Sequence, residues 1–151
     1  MSHLTPIMRE LIAAYSAGAV ASVNEDGTPS VSPKATFVVI DDSNIAFGDI
    51  RSPATVANLS SRPAVEVVFT DVLRRRAVRI KGRARVIDKA SADGQTLVNA
   101  FEPLWAAYID LIGRFVRIEI HAAELILSPA YDIGLTADEL RRLNLDKLAN
   151  T

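Results

Sequence analysis

The chain has 151 residues, 49% of them apolar and 23% charged, with a formal net charge of −1. That length and composition predict one domain over residues 1–151 with a substantial core, and near-neutrality excludes a global field that would gather nucleic acid or acidic lipid. The chain has no cysteine, which excludes disulfides and thiolate metal sites.

Thr5-Pro6 starts a helix, an N-cap followed by proline at the first helical position, and Ile7, Met8, Leu11, Ile12 and Tyr15 keep helical spacing up to Gly18. Arg9 and Glu10 interrupt the apolar residues of Met1 to Leu11, so the segment lacks a signal-peptide pattern. No apolar run approaches the roughly 20 residues that span a bilayer. A cytoplasmic protein with no membrane partner is expected. Ala19 to Val23 reads as a short strand, and Asn24-Glu25-Asp26-Gly27 as a hairpin turn that uses glycine's positive φ. Ser30 to Ile40 reads as one strand, covered on both faces where Phe37 to Ile40 is continuously apolar. Asp41-Asp42-Ser43-Asn44 is a second turn, and Ile45 to Gly48 is the returning strand.

Arg51-Ser52-Pro53 opens a helix to about Ser60, and strands follow near Ala64–Thr70 and Ala77–Ile87. Val78, Ile80, Gly82, Ala84 and Val86 alternate strictly with Arg79, Lys81, Arg83 and Arg85, the pattern of a half-buried strand. Ala90 to Gly113 reads as helical with a break at Pro103, and Phe115 to Ala122 as a further strand. Thr136-Ala137-Asp138-Glu139 is a capping box for a C-terminal helix over about 136–148. Its thin apolar stripe of Leu140, Leu143 and Leu148 must dock, on its own barrel or a partner's. The turns at 24–28 and 41–44 are too short for parallel crossovers. The expected fold is therefore mainly β (α+β), a small barrel of about six antiparallel strands with flanking helices, closure removing exposed edges.

One corner of this plan suits an anion. Lys34 follows Ser32-Pro33, and Arg51-Ser52 stands before the helix that Pro53 begins. Free N–H groups and aligned peptide dipoles at a helix N-terminus attract phosphate, Ser52 and Thr55 supply hydroxyls, and Arg51 can bind bidentately. Spacing alone equally fits an ordinary capped helix with solvated charges. The basic residues Arg74, Arg75, Arg76, Arg79, Lys81, Arg83 and Arg85 lack interleaved aromatics for base stacking. They read as a solvated face balanced by Glu66 and by Arg117 and Glu119 neighbours, so no nucleic-acid partner is expected. His3 falls in a terminus expected to be mobile, His121 reads as a surface or interface residue, and no metal-ligand spacing appears. No hydrolase, kinase or dinucleotide fingerprint is present, and the sequence offers no convincing side-chain acid or base.

The ordered set Asp26-Gly27-Thr28-Pro29, Ser32-Pro33-Lys34, Ile45 to Asp49, Arg51 to Leu59, Arg62-Pro63-Ala64-Val65 and Val78 to Ala84 resembles the pyridoxamine 5'-phosphate oxidase-like family, over roughly residues 5–127. The resemblance implies the FMN-binding split β-barrel and a homodimer with two flavin sites at the interface. It implies that Ser32, Pro33, Lys34 and Ala35 flank the isoalloxazine ring, and that Phe47, Gly48, Asp49 and Ile50 lie along the ring and ribityl chain. Arg51, Ser52 and Thr55 would hold the phosphate, with Asn58 supporting the helix and Arg76 reaching the phosphate from its loop. Trp105 or Tyr131 of the partner subunit would cover a ring face. The chain departs from the family in three places. Ala54 and Thr55 stand where many relatives carry a basic residue, Ala77 stands where true oxidases place a flavin-facing glutamine, and the C-terminal arginine–histidine signature is absent. A vitamin B6 substrate is therefore not expected. The resemblance implies an FMN-dependent oxidoreductase acting on a small organic substrate; the alternative is a non-catalytic protein that binds flavin, a deazaflavin coenzyme or heme.

Overall fold

Thr5 caps the first helix, α1 (Pro6–Ala14), by accepting a hydrogen bond from Met8 N, and Met8, Leu11 and Ile12 bury its inner face. The structure is a computed structural model that describes residues 3–151. Met1 and Ser2, the start of the segment read above as lacking a signal-peptide pattern, lie outside the described residues. Seven strands follow: β1 (Gly18–Val23), β2 (Pro29–Lys34), β3 (Phe37–Asp41), β4 (Asn44–Asp49), β5 (Ala64–Asp71), β6 (Arg76–Asp88) and β7 (Arg114–Leu127). Helix α2 (Pro53–Ser61) lies between β4 and β5, α3 (Ala92–Trp105) between β6 and β7, and α4 (Ala137–Ala149) ends the chain. Among the described residues no helix is long and apolar enough to cross a membrane.

The strands form one sheet in the order β2-β1-β5-β6-β7-β4-β3, and every neighbouring pair is antiparallel. The class is the expected one, with seven strands instead of about six. The extra strand comes from the segment read as continuous from Ser30 to Ile40. It divides at Ala35-Thr36, where Phe37 N donates to Ala35 O at 2.9 Å and the chain turns sharply. The halves pair with different partners, β2 with β1 and β3 with β4. They therefore stand at opposite edges of the sheet while only two residues separate them. Such a short link forces the edges together at this corner and curls the sheet into a barrel, while no ladder joins β2 to β3 and the barrel stays split.

The barrel interior is filled by alternate residues of every ladder, among them Val20, Ile45, Phe47, Val67, Phe69, Val78, Ile80 and Ile118. Phe37 meets Phe69 edge-on at 4.8 Å and Phe47 at 5.2 Å, geometries that suit the aromatic quadrupole. A second apolar cluster lies outside the barrel, where Leu97 and Phe101 of α3 cover Val38, Ala46, Ile87 and Phe115. Helix α3 does not break at Pro103. The proline falls in its last turn and leaves the Asn99 carbonyl without its helical donor, yet the helix runs on to Trp105, where a 3₁₀ turn over Ala106–Leu111 takes over.

Two local expectations change. His3 and Leu4 both donate their backbone N–H to Asp42 O, at 3.2 and 3.0 Å, so the described start of the chain is pinned to the β3–β4 turn and not loose. Helix α4 docks through Leu140 and Asn144, while Leu143 and Leu148 stay exposed. Asn144 Nδ2 donates to Leu73 O at 2.8 Å and its Oδ1 accepts from Arg75, so the helix rests on the β5–β6 turn of its own chain. Of the expected apolar stripe Leu140 alone is buried, and the polar Asn144 joins it because the turn offers backbone carbonyls.

Candidate cofactor site

The corner where the two sheet edges meet carries a cavity of about 340 Å³. Its walls come from the end of β2 (Ser32, Pro33, Lys34), the link Ala35-Thr36, the end of β4 (Gly48) with the turn to α2 (Ile50, Arg51, Ser52) and the end of α3 with the turn beyond it (Trp105, Tyr108). Thr36 locks the corner by donating its hydroxyl to Gly48 O at 2.9 Å and accepting from Gly48 N at 3.2 Å. Gly48 is required by close approach, since a Cβ there would strike the side chain of Ile112.

Lys34 is only 9% exposed, and among the described residues its ammonium has a single hydrogen-bond partner, Ser32 Oγ at 2.8 Å. Burial pushes its pKa below the usual lysine value, and the nearby Asp49 charge opposes that push. An ammonium has three donors, so two remain for a ligand. Asp49 accepts from Ser52 N at 3.0 Å and pairs with Arg114 at 3.2 Å, which fixes the turn. Ser52 makes no side-chain cap although it stands at the N-cap of α2. The N–H groups of Ala54 and Thr55 have no intrahelical acceptor, as in any first helical turn. Arg51 is exposed at the mouth of the cavity. β2 is also an edge strand, so one side of its backbone near Ser32 and Lys34 is unpaired.

Of the residues assigned from the sequence, Ser32, Pro33, Lys34, Ala35, Gly48, Ile50, Arg51, Ser52 and Trp105 converge on this cavity. The others do not line it. Phe47 is wholly inside the barrel, and Asp49 is the buttress just described. Thr55 is buried at 4% exposure beneath the helix start. Asn58 donates to Ser22 Oγ and Asn24 Oδ1, at 3.1 and 2.9 Å, which ties α2 to β1. Arg76 lies at the start of β6, where it pairs with Asp71 at 3.4 Å. Tyr131 donates its hydroxyl to Arg74 O at 2.6 Å in that same region. Trp105 reaches the cavity within its own chain, where a partner's residue was expected, and its Nε1 donates to Phe37 O at 3.1 Å. Sequence reasoning missed Thr36 and Tyr108. Tyr108, with its ring 5.9 Å from that of Trp105, falls within the Ala90 to Gly113 stretch that reads as helical, and the helix-to-3₁₀ change that turns it toward the cavity has no local signal.

No curated protein matches this chain in sequence. Among solved structures, it is similar to HupZ of Group A Streptococcus at 20% identity and TM-score 0.71, covering 83% of this chain and 95% of that one. It is similar to the heme storage protein HutZ of Vibrio cholerae at 16% identity and TM-score 0.67, with 83% and 94% covered. An FMN-binding protein of Syntrophomonas wolfei subsp. wolfei shares 13% identity and TM-score 0.65, with 80% and 84% covered. At such identities these likenesses concern the fold. The family model for pyridoxamine 5'-phosphate oxidase matches residues 4–127, which reach from the cap of α1 to the end of β7 and include the whole split barrel. With that match laid over a barrel split at a cationic corner, the chain belongs to the pyridoxamine 5'-phosphate oxidase family.

Proposed function

We propose that the chain is an FMN-binding oxidoreductase that acts on a small organic molecule, working as a homodimer with its flavin sites at the subunit interface. The observation that carries this reading is Lys34, a buried cation with unused donors at the end of an edge strand, beside the open N-terminus of α2. A phosphate fits this set. It would take the Lys34 ammonium, the Ser52 hydroxyl, the first N–H groups of α2 and the Arg51 fork. The unpaired backbone of β2 would meet the polar edge of the flavin ring. Trp105, held by its bond to Phe37 O, and Tyr108 would wall the ring and exclude water.

The flavin supplies hydride chemistry when bound. The residues of the chain bind and orient it, and Lys34 places a positive charge that favours an anionic form nearby. Ala77 and the missing C-terminal arginine–histidine signature argue against a vitamin B6 substrate, so a reductase role fits better, while Ala54 and Thr55 leave the phosphate to Arg51, Lys34, hydroxyls and backbone N–H groups. The titratable side chains lining the cavity are Lys34, Arg51 and Tyr108, with no carboxylate or histidine among them. That lining also favours a second reading, a non-catalytic carrier of flavin, deazaflavin or heme.

The test is to incubate the purified protein with FMN, desalt it, and read the visible spectrum and the flavin-to-protein ratio. About one flavin per subunit is expected for the wild type, with weaker titration for Lys34→Ala and Arg51→Ala. No retained flavin, or identical titration curves for both variants, overturns the assignment; retention of heme instead selects the carrier reading. Steady-state oxidation of NADH or NADPH by the loaded protein would exclude a pure carrier.

A further inference from the structure

A second cavity, about 730 Å³, lies away from the cofactor corner. It opens where Asn44 of β4, Arg83 and Arg85 of β6 and Arg117 and Glu119 of β7 meet the end of α2. Asn44 and Gly48 stand near opposite ends of β4, on the order of 13 Å apart along a strand, so the two cavities are distinct.

The charges here are not balanced as they are elsewhere on the same strand. Arg79 of β6 has two carboxylates, Glu66 at 3.6 Å and Glu124. Arg85 instead has Arg117 as its direct cross-strand partner. Opposed residues on antiparallel strands lie about 4.5–5.5 Å apart between Cα atoms, and like charges there destabilise a sheet. Arg117 donates to the neutral Asn44 at 3.2 Å and has one carboxylate nearby, Asp41, whose charge it helps to stabilise. Arg85 reaches only an exposed Asp93 at 3.4 Å. Arg83 has no ion-pair partner among the described residues, because Glu119, opposite it, is turned to His121 at 3.2 Å. Beside these guanidinium groups the cavity has an apolar part, formed by Leu59, Pro63 and Val86.

We propose that this cavity is a second ligand site, for an organic phosphate of mononucleotide size. Its phosphates pair with Arg83, Arg85 and Arg117, which relieves the Arg85–Arg117 repulsion, and its ring system lies on Pro63 and Val86. The volume falls in the usual range for small-molecule sites, about 300–1,000 Å³. Guanidinium forks match phosphate oxygens bidentately.

The experiment is calorimetric titration of the full chain with ADP, adenosine and inorganic phosphate at low ionic strength. ADP is expected to bind, and adenosine at least ~10-fold more weakly, the difference a charge-assisted contact makes. Arg85→Gln and Arg83→Gln are each expected to weaken ADP ~10-fold and leave FMN titration unchanged, and Arg85→Gln is expected to raise the melting temperature without ligand. Lys34→Ala, which disables the cofactor corner, leaves ADP binding intact. Absence of ADP binding at millimolar concentration, equal affinity for adenosine and ADP, or loss of ADP binding in Lys34→Ala but not in the arginine variants overturns the proposal. So does single-stranded DNA binding with a steep salt dependence in place of ADP binding.

Discussion

A lysine ammonium with one hydroxyl for a partner is held at a disadvantage until an anion arrives. In the unliganded protein Lys34 has a pKa below its ordinary 10.5, burial being the main cause. The folded state therefore binds fewer protons at Lys34 than the unfolded state between its lowered pKa and 10.5. Stability rises with pH across that window, and the full penalty is present below it. Lys34→Met is thus expected to raise the melting temperature of the flavin-free protein at neutral pH, and the gain should shrink as pH approaches 10.5. The same variant should weaken FMN ~10-fold or more, the loss of a charge-assisted contact. Thermal melts across pH with flavin titrations check both; a variant that is neutral in both measurements would remove Lys34 from the site. Gly48 gives a second expectation. An added Cβ meets Ile112 within the cluster under α3, so Gly48→Ala should destabilise by about 1–3 kcal/mol, read by urea denaturation.

Among the elements, the β5–β6 turn does more than reverse the chain. Asp71 is almost wholly buried and accepts from Leu73 N at 3.1 Å and Arg74 N at 2.9 Å, with Arg74 and Arg76 each 3.4 Å away. Burial pushes its carboxyl pKa up. The Arg74 backbone bond, the Tyr15 hydroxyl and the two arginine charges outweigh that and hold it below the usual carboxylate value. Its contribution is therefore full above the unfolded pKa near 3.8 and lost as pH falls through the lower folded value. Asp71→Asn should cost about 1.5–3 kcal/mol at neutral pH, as expected for hydrogen bonds to a charged group. The gap to wild type should close in strong acid, and denaturant melts at several pH values test this. Because this turn also carries Arg75 at positive φ and receives Asn144 of α4, Asp71→Asn should loosen α4, seen as faster amide exchange over 137–149.

For the whole molecule, the proposed dimer gives the sharpest expectation. Leu104, Tyr108 and Leu111 are 65%, 44% and 61% exposed on the α3 end that walls the cofactor cavity. A second copy seated there would cover them and close the cavity from outside. Leu104→Glu together with Leu111→Glu is expected to convert a dimer to a monomer in light scattering and to lower flavin retention. A dimer unchanged by both charges would move the interface elsewhere.

Local chemistry wrote much of this molecule directly. Thr5-Pro6, Asp26-Gly27 and the Thr136 capping box set their caps and turns, and the alternation in Val78 to Val86 set a strand, because these signals act within a few residues. The antiparallel class followed from turn lengths, and the ordered motifs pointed to the family. Partner choice lay beyond that reach. The segment Ser30 to Ile40, read as one strand, became two because its halves pair at opposite sheet edges, and that long-range pairing built the corner where Lys34, Ser52 and Trp105 meet. Pairing between distant segments also set Arg85 against Arg117 and seated α4 through Asn144. Strand registry and edge closure are sums over contacts distant in sequence, so only the tertiary structure decided them.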